Sequence, residues 1–245
     1  MDPLAQDLSS RLLPPGSKGS LGSYPLGTDP LGRDMLSLLL AGARTIVLQS
    51  LIAVMLGATA GVGLGLVCGY FGGALGRLLM LLTNLQLAFP FFLLALSVVG
   101  ILGPSFWLIV VVVALASWVE LARVTYMEAR ILCQSEFVLA VRVMRGSVFR
   151  IILRHLLPNV APSVLILSSL LFGSAIVTIS GLGFVGLSLP GEVPNWGQML
   201  GEGRAYITTA WWLTVLPGLA IFALVLCINV AAERLRSRLV GGRMS

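Results

Sequence analysis

The stretch CQSEFVLAVRVMRGSVFRIILRHLLP, residues 133–158, decides how the rest of the chain is interpreted, because it is the longest run that cannot lie in lipid. Four arginines and the only histidine of the chain alternate in it with apolar residues at helical spacing. This pattern predicts a short amphipathic helix. Gly146 and Ser147 interrupt the helix, and a second helical piece runs up to Pro158. Long apolar segments flank the stretch, so it is predicted to be a loop between membrane spans.

The composition is that of an integral membrane protein. Of the 245 residues, 57% are hydrophobic and 11% are charged, and the mean hydropathy is +0.98. A soluble core cannot absorb this much apolar surface. The net charge of +6 does not indicate nucleic-acid binding, because Lys18 is the only lysine and the arginines cluster at the ends of apolar segments. Cys68, Cys133 and Cys227 lie far apart, which indicates neither a disulfide framework nor a metal site.

Five apolar segments have about the 20 residues that a membrane helix requires. The predicted spans are 46–70, 78–101, 106–127, 159–182 and 211–231.

The charged flanks of these spans predict the orientation, because positive residues collect on the cytoplasmic side of a membrane. Residues 123–155 hold six arginines and two glutamates, a balance of +4, and residues 233–245 have a balance of +3. Both segments are therefore expected in the cytoplasm. Residues 1–44 are neutral and residues 184–209 have a balance of −1, so both are expected outside.

This orientation predicts three parts of the chain. Residues 1–45 form an extracytoplasmic segment, residues 46–232 form a transmembrane domain that contains the loop 133–158, and residues 233–245 form a cytoplasmic basic tail. An outer segment of this length has no preceding span to export it. We therefore expect that a first membrane helix is missing from this sequence.

Glycine and proline mark special positions in two spans. In the first span Gly57, Gly61, Gly65 and Gly69 recur every four residues, so they form one stripe of a helix. Such a stripe lets another backbone approach closely in lipid, and we expect leucine at Gly61 or Gly65 to impair assembly with a partner subunit. Pro90 interrupts the second span and is predicted to bend it.

The membrane interior is nearly free of charge. Glu120 is the only acid within a span, and Arg123 lies one turn away. This spacing predicts either a local ion pair or a snorkelling pair, whose charged groups extend to the membrane surface. A proton- or sodium-driven carrier normally holds acids near the middle of the bilayer. An ion-coupled secondary carrier or a channel is therefore the less favoured alternative, and a non-transporting membrane anchor is the third.

The sequence also lacks an energy source and a catalytic site of its own. It contains no G-x-x-x-x-G-K-[ST] run for a nucleotide, and His155 has no nucleophile and acid that topology would place beside it. The chain is therefore predicted not to be an enzyme. We interpret the loop 133–158 as a docking surface for a cytoplasmic partner that supplies the energy.

Three motifs resemble those of bacterial ABC importer permeases of the dipeptide, oligopeptide and nickel group. GTDPLGRD at residues 27–34, followed by GAR at 42–44, resembles the GTD-x-x-GRD … GAR signature of that group, and PNWGQML at 194–200 resembles its P-S-W-G-x-M-L segment. The loop 133–158 resembles the EAA loop of the superfamily. Within the group the chain is similar to the C-type permease subunit. The matching residues of the first motif are Gly27, Thr28, Asp29, Gly32, Arg33 and Asp34.

The EAA loop also departs from the family pattern E-[YF]-V-x-A-A-R-A-L-G-A-S. Val141 replaces an alanine, and Arg145 stands where the family has glycine, with Gly146 one residue later. We therefore expect an altered turn between the two helical pieces. The family also has a helix before its GTD segment, in agreement with the missing span. The pattern is matched at Glu136, Phe137, Val138, Ala140, Arg142 and Ser147.

The resemblance implies an all-α polytopic bundle, with five predicted spans where the family has six, and a cytoplasmic EAA coupling loop. It implies a permease subunit of the bacterial inner membrane that forms, as a heterodimer with a second permease, the path for small peptides or for nickel and other metal chelates. Two ATPase subunits would bind ATP and Mg, an extracytoplasmic solute-binding protein would deliver the substrate, and this chain would bind no cofactor.

The implied docking surface presents Phe137, Val141 and Met144 to a groove on the ATPase, with arginines at its rim. The residues expected to dock are Glu136, Phe137, Ala140, Val141, Arg142, Met144, Gly146, Ser147 and Arg150.

Overall fold

The computed structural model describes residues 5–19, 22–189 and 193–241 and is almost entirely helical. In this part of the chain the α-helices are α1 Met35–Phe71, α2 Gly73–Leu87, α3 Phe91–Leu102, α4 Phe106–Leu132, α5 Glu136–Val143, α6 Val148–Ile151, α7 Leu157–Phe184, α8 Trp196–Gly203 and α9 Trp212–Gly241. Strands β1 Ser17–Gly19 and β2 Gly22–Tyr24 pair antiparallel before them. The predicted all-α membrane fold is confirmed, with this small hairpin as an addition.

Four helical segments of the described chain are long and apolar enough to cross a membrane. They are α1, α4, the continuous helix Val148–Phe184 and the segment Trp212–Arg234 of α9. Helices α2 and α3 pass the same test together, but they are bent by 77° across a break that contains Pro90. The predicted bend at Pro90 is confirmed. If the bent pair is one span, the described residues contain five spans, as predicted.

Two predicted spans begin too late. Helix α1 begins at Met35, so the boundary placed after residue 45 falls inside it. The helix of the fourth span begins at Val148, eleven residues before its predicted start. In both cases arginines lower the local hydropathy, namely Arg44 in the first helix and Arg150 and Arg154 in the second. Hydropathy therefore finds the apolar part of a helix and not its ends.

The chain divides into two compact units, and the division falls within several helices. The first unit comprises the chain up to Ser50 with Leu96–Ile109 and Ala175–Cys227, and the second comprises Leu51–Ala95, Val110–Ser174 and the chain from Ile228. Each unit has its own buried apolar residues. In the first unit, Met35, Leu38, Ala210, Trp212 and Leu213 form one cluster.

The glycine stripe of α1 packs directly against α4 within the second unit. A Cβ atom added to each glycine would lie 2.7 Å from Ser117 Cβ at Gly57, 2.5 Å from the Trp118 carbonyl oxygen at Gly61, 2.7 Å from Thr125 Cβ at Gly65 and 2.6 Å from Ala129 Cβ at Gly69. Such distances leave no room for a side chain. The expectation that this seam joins the chain to a partner subunit is therefore wrong, because the seam lies between two helices of this chain.

Replacing Gly61 with leucine should destabilise the isolated chain, whereas the same change at Gly63 should not. Gly63 is exposed on the same helix, and a Cβ atom there would meet nothing within 4 Å. We expect Gly61→Leu to lower the free energy of unfolding by about 3 kcal/mol or more, because α1 and α4 must separate. Thermal unfolding of the detergent-solubilised chain, without any partner, measures the difference. Equal losses in the two variants would contradict an internal seam.

Candidate functional site

Helix α5 of the loop 133–158 is anchored in the second unit by one buried side chain. Val138 is fully buried, and the ends of α1, α4 and α7 surround it. Burying one valine contributes about 1.5 to 3 kcal/mol. The cluster around Val138 consists of Leu66, Ala129, Cys133, Ile151, Leu156 and Val160.

The two sides of α5 differ in burial. Val141 lies one helical turn after Val138, on the same side, and packs against the buried cluster. Val141 is therefore half-buried by its own chain, and its expected contact with a partner stays a prediction. Phe137 is 44% exposed and Met144 is 75% exposed, as docking residues would be, and Val143, which was not predicted, is 84% exposed.

Arg145 closes the C-terminus of α5 in a left-handed conformation, with φ +55°. The N–H of Arg145 donates to the carbonyl oxygen of Arg142 and the N–H of Gly146 donates to that of Val141, both at 3.0 Å. These two bonds form a Schellman motif, in which the left-handed position is usually glycine. Arg145 therefore adopts the left-handed conformation that glycine, the expected family residue, adopts most easily. The turn itself is a regular Schellman motif.

Gly146 has a packing role in the same turn. A Cβ atom at Gly146 would lie 2.7 Å from Val141 Cγ1 and 2.9 Å from the Val141 carbonyl oxygen. The next residue, Ser147, caps α6, because its Oγ accepts the N–H of Arg150 at 3.3 Å. Glu136 lies exposed in the first turn of α5, where a negative charge favours the helix dipole. Ala140 is exposed as well.

The three predicted rim arginines are exposed, but Arg142 also contacts an aromatic ring of its own chain. The guanidinium carbon of Arg142 lies 4.6 Å from the centre of the Tyr70 ring, at the end of α1, which is a cation–π distance. Arg145 and Arg150 are exposed. Burial raises the pKa of the nearby Cys133 thiol, and the positive charges of Arg142 and Arg130 partly oppose this shift. The Cys133 thiol is therefore a neutral member of the core cluster.

Helix α6 continues into α7 through one π-helical turn, Ile152–Leu156. The N–H of Leu157 donates to the carbonyl oxygen of Ile152, five residues back. A π turn contains one residue more than an α turn. His155 lies in this turn, with its ring centre 6.5 Å from that of Phe137.

Polar side chains join α2 to α4 just before the bend at Pro90. Arg123 Nη1 donates to Asn84 Oδ1 at 3.1 Å, and Trp118 Nε1 donates to Gln86 Oε1 at 3.0 Å. Among the described residues no ion pair joins Arg123 to Glu120, which is exposed. The local ion pair, one of the two predicted alternatives, is therefore wrong, because Arg123 bonds to an amide of the neighbouring helix.

The GTDPLGRD motif shapes the chain before α1. Asp29 Oδ1 accepts the N–H groups of Leu31 and Arg33, both at 2.8 Å, and its Oδ2 accepts Arg33 Nε at 2.6 Å. Gly27 and Gly32 have φ values of +82° and +74°, which a residue with a side chain rarely adopts. These contacts fold the motif on itself.

The ends of the same motif fix it to its surroundings. Asp34 Oδ2 accepts the N–H of Ser37 at 3.0 Å and so caps the first turn of α1. Thr28 Oγ1 accepts the N–H of Leu13 at 2.8 Å and donates to the carbonyl oxygen of Ser10 at 2.6 Å. The residues of this motif thus have structural contacts within the first unit.

Trp196 of PNWGQML packs against α1 beside the GAR segment, although 157 positions separate Trp196 from Leu39, to which it bonds. Trp196 Nε1 donates to the carbonyl oxygen of Leu39 at 2.8 Å. Gly42 lies beside this ring, because a Cβ atom there would be 2.7 Å from Trp196 Cδ1. Asn195 caps α8 by accepting the N–H of Gly197 at 2.8 Å. The glycine of GAR therefore makes room for the tryptophan of PNWGQML.

Replacing Arg145 with glycine should stabilise the turn between α5 and α6 by about 1 kcal/mol, because a left-handed conformation is unfavourable for a residue with a Cβ atom. The matched change Arg150→Gly should instead cost about 1 kcal/mol, since Arg150 lies within a helix. Hydrogen exchange in the detergent-solubilised chain measures both, with the α5 amides reporting Arg145→Gly and the α6 amides reporting Arg150→Gly. Slower exchange in Arg150→Gly, or faster exchange in Arg145→Gly, would contradict this assignment.

Known proteins resemble this chain over most of its length. The di/tripeptide transport system permease protein DppC of Pseudomonas aeruginosa is 37% identical over 97% of this chain and 79% of its own length. The nickel transport system permease protein NikC of Escherichia coli K12 is 34% identical over 97% of this chain and 84% of its own. The glutathione transport system permease protein GsiD of Pectobacterium atrosepticum is 34% identical over 91% and 74%.

A solved structure and a family model agree with these relatives. The fold is similar to that of a chain in the inward-facing MetNI methionine ABC transporter, with a TM-score of 0.65 and 19% identity over 83% of this chain and 97% of that one. Residues 61–241 match the model of the family described as the binding-protein-dependent transport system inner membrane component. The resemblance stated from the sequence motifs is confirmed, and the chain belongs to this family of multi-pass membrane permeases.

Proposed function

We propose that this chain is the C-type permease subunit of an ATP-driven importer and that it forms, with a second and similar permease, the path for small peptides or metal chelates. The family supports the class of transporter. The names of the relatives, which transport di- and tripeptides, glutathione or nickel, support the range of substrates. Two ATPase subunits that bind ATP and Mg, and an extracytoplasmic solute-binding protein, complete the proposed assembly.

The observation that carries the proposal is a group of exposed apolar side chains on α5 and at its C-terminal cap. Phe137, Val143 and Met144 are large apolar side chains on a short helix outside the spans, and each is 44% to 84% exposed. Behind them, Val138 and Val141 hold the helix against the second unit. Covering the three exposed side chains with a groove of the ATPase would contribute on the order of 5 kcal/mol before ordering costs.

The connections of α5 allow docking to move the spans. Only residues 133–135 separate α5 from α4, and the Schellman turn leads directly into α6 and the continuous helix Val148–Phe184. When ATP draws two ATPase subunits together, the docked α5 moves with its subunit, and the helices on either side follow as rigid elements. Such motion of rigid elements produces alternating access.

The proposed orientation places α5, α6 and the C-terminus in the cytoplasm. Residues 123–155 and 233–245 carry most of the positive charge of the chain, and positive flanks favour the cytoplasmic side. The motifs at 27–34 and 194–200 then lie on the outer side, where the binding protein delivers solute. A cysteine placed in residues 233–245 and labelled in right-side-out vesicles would react only after permeabilisation in this orientation.

Adding a charge to the exposed side of α5 should release the ATPase without unfolding the permease. We expect Val143→Glu and Met144→Glu to weaken binding of the ATPase subunits at least about tenfold, because a buried unpaired carboxylate costs more than 1.4 kcal/mol. Thr208→Glu is the matched control, since Thr208 is exposed in the first unit. Co-purification in detergent and ATP hydrolysis stimulated by loaded binding protein are the measurements.

The outcomes separate the docking assignment from the proposed function. Unchanged ATPase binding in Val143→Glu and Met144→Glu would contradict the docking assignment but not the proposed importer function. A wild-type chain that binds neither a second permease nor ATPase subunits would contradict the importer itself. Import in proteoliposomes that lack ATP would instead support an ion-coupled carrier.

A further inference from the structure

One residue of the outer motifs has no structural role in the described chain. Gly42 of the GAR segment makes room for Trp196, but Arg44, two residues later, is exposed on α1. No hydrogen bond or ion pair to Arg44 exists among the described residues. An arginine beside a membrane span without a partner is costly, and such residues commonly serve function.

Arg44 lies on the wall of a groove of about 590 Å³ in the first unit. This volume is typical of sites for small ligands. Three parts of the described chain line it: α1, the residues that begin α4, and Leu189 with Val193. The lining side chains besides Arg44 are Thr45, Leu48, Ser105, Phe106, Leu189 and Val193.

Among the described residues that line it, the groove combines a mostly apolar wall with one cation and two hydroxyl groups. Ser105 Oγ accepts the N–H of Leu108 at 3.3 Å, so its own proton remains for a ligand oxygen. Thr45 Oγ1 has only a long bond of 3.4 Å to the Ala41 carbonyl oxygen. A guanidinium in apolar surroundings attracts an anion strongly, and its planar fork matches the two oxygens of a carboxylate.

The position of Arg44 argues against a role as a topology signal. In the proposed orientation, positive residues at span ends favour the cytoplasm, whereas Arg44 lies beside Phe106 at the outer start of α4. The exposed arginine is therefore at the end of α1 that solute reaches first.

We propose that Arg44 binds a carboxylate of the transported solute in this groove, with Ser105 donating to the same group and Leu48 and Phe106 contacting the apolar part of the solute. This inference rests on the proposed importer and narrows its substrates to small solutes with a free carboxylate. Arg44 thus selects for an anionic group independently of the binding protein.

The contact between Arg44 and the carboxylate is tested by changing the protein and the solute, first separately and then together. The complete transporter in proteoliposomes is supplied with dialanine or with its C-terminal amide, each at a concentration that saturates the binding protein. We expect the wild type to import dialanine about tenfold faster than the amide, since a charged hydrogen bond is worth about 1.5 to 3 kcal/mol. Arg44→Gln should lower import of dialanine to the level of the amide and leave the amide unchanged.

Two further variants and one readout control for other effects. Arg44→Lys, which keeps the charge and loses the fork, should lie between the wild type and Arg44→Gln. Arg204→Gln removes another exposed arginine of the first unit and should import both solutes as the wild type does. ATP hydrolysis stimulated by loaded binding protein should stay within about twofold in all variants, because docking of the ATPase does not involve Arg44.

Several results would overturn the proposal. An equal loss for dialanine and for the amide assigns Arg44 a role that does not involve the solute. If that loss follows the phosphatidylglycerol content of the vesicles, Arg44 binds lipid phosphate. If Glu192→Gln, whose site lies outside the described residues, gives the same equal loss, Arg44 serves an internal ion pair. A wild type that imports no carboxylate solute contradicts the proposed importer, and the inference falls with it.

Discussion

The close approach of α1 and α4 is the constraint on which the second unit depends. Lipid is as apolar as the helices, so burial of apolar surface does not hold them together, and van der Waals packing must do so. The four glycines allow this packing because they bring backbone against backbone. The seam also fixes where both helices end, and those ends, with Leu66 and Ala129, form the cluster that receives Val138 of α5. Helix α5 is thus placed by a contact deep in the span region.

In the first unit, backbone conformation, packing and hydrogen bonds account for most residues of the signature motifs without any ligand. The bond between Asp29 and Arg33 folds the motif 27–34 on itself, and Asp34 caps the first turn of α1. Trp196 packs against Gly42. A motif shared with a family is therefore not automatically a binding site. Arg44 remains, because its side chain makes no hydrogen bond or ion pair among the described residues.

Hydropathy predicted the class of fold, and Pro90 predicted the bend between α2 and α3, because a proline within a helix removes a backbone hydrogen bond. The start of α1 was missed since Arg44 interrupts the apolar run, although Asp34 could have been recognised as a cap before a helix. The partner of the glycine stripe could not be predicted, because spacing shows that a backbone can approach but not which one. The partial burial of Val141 was not predicted, because six of the eight residues of α5 are apolar and do not define a unique buried side. Arg145 shows a further limit, because its conformation follows from two hydrogen bonds around it and not from its own preference.

The π turn at Ile152–Leu156 sets the rotation of α6 relative to α7. Ile151 and Leu156 are both fully buried, although five residues separate them, and Val160 follows four residues later on the same side. In an uninterrupted α-helix the first two would point about 140° apart, since each residue turns the helix by about 100°. The extra residue of the π turn brings them back into phase. The buried sides of α6 and α7 therefore lie in line, which lets Ile151 and Val160 join the same core cluster around Val138.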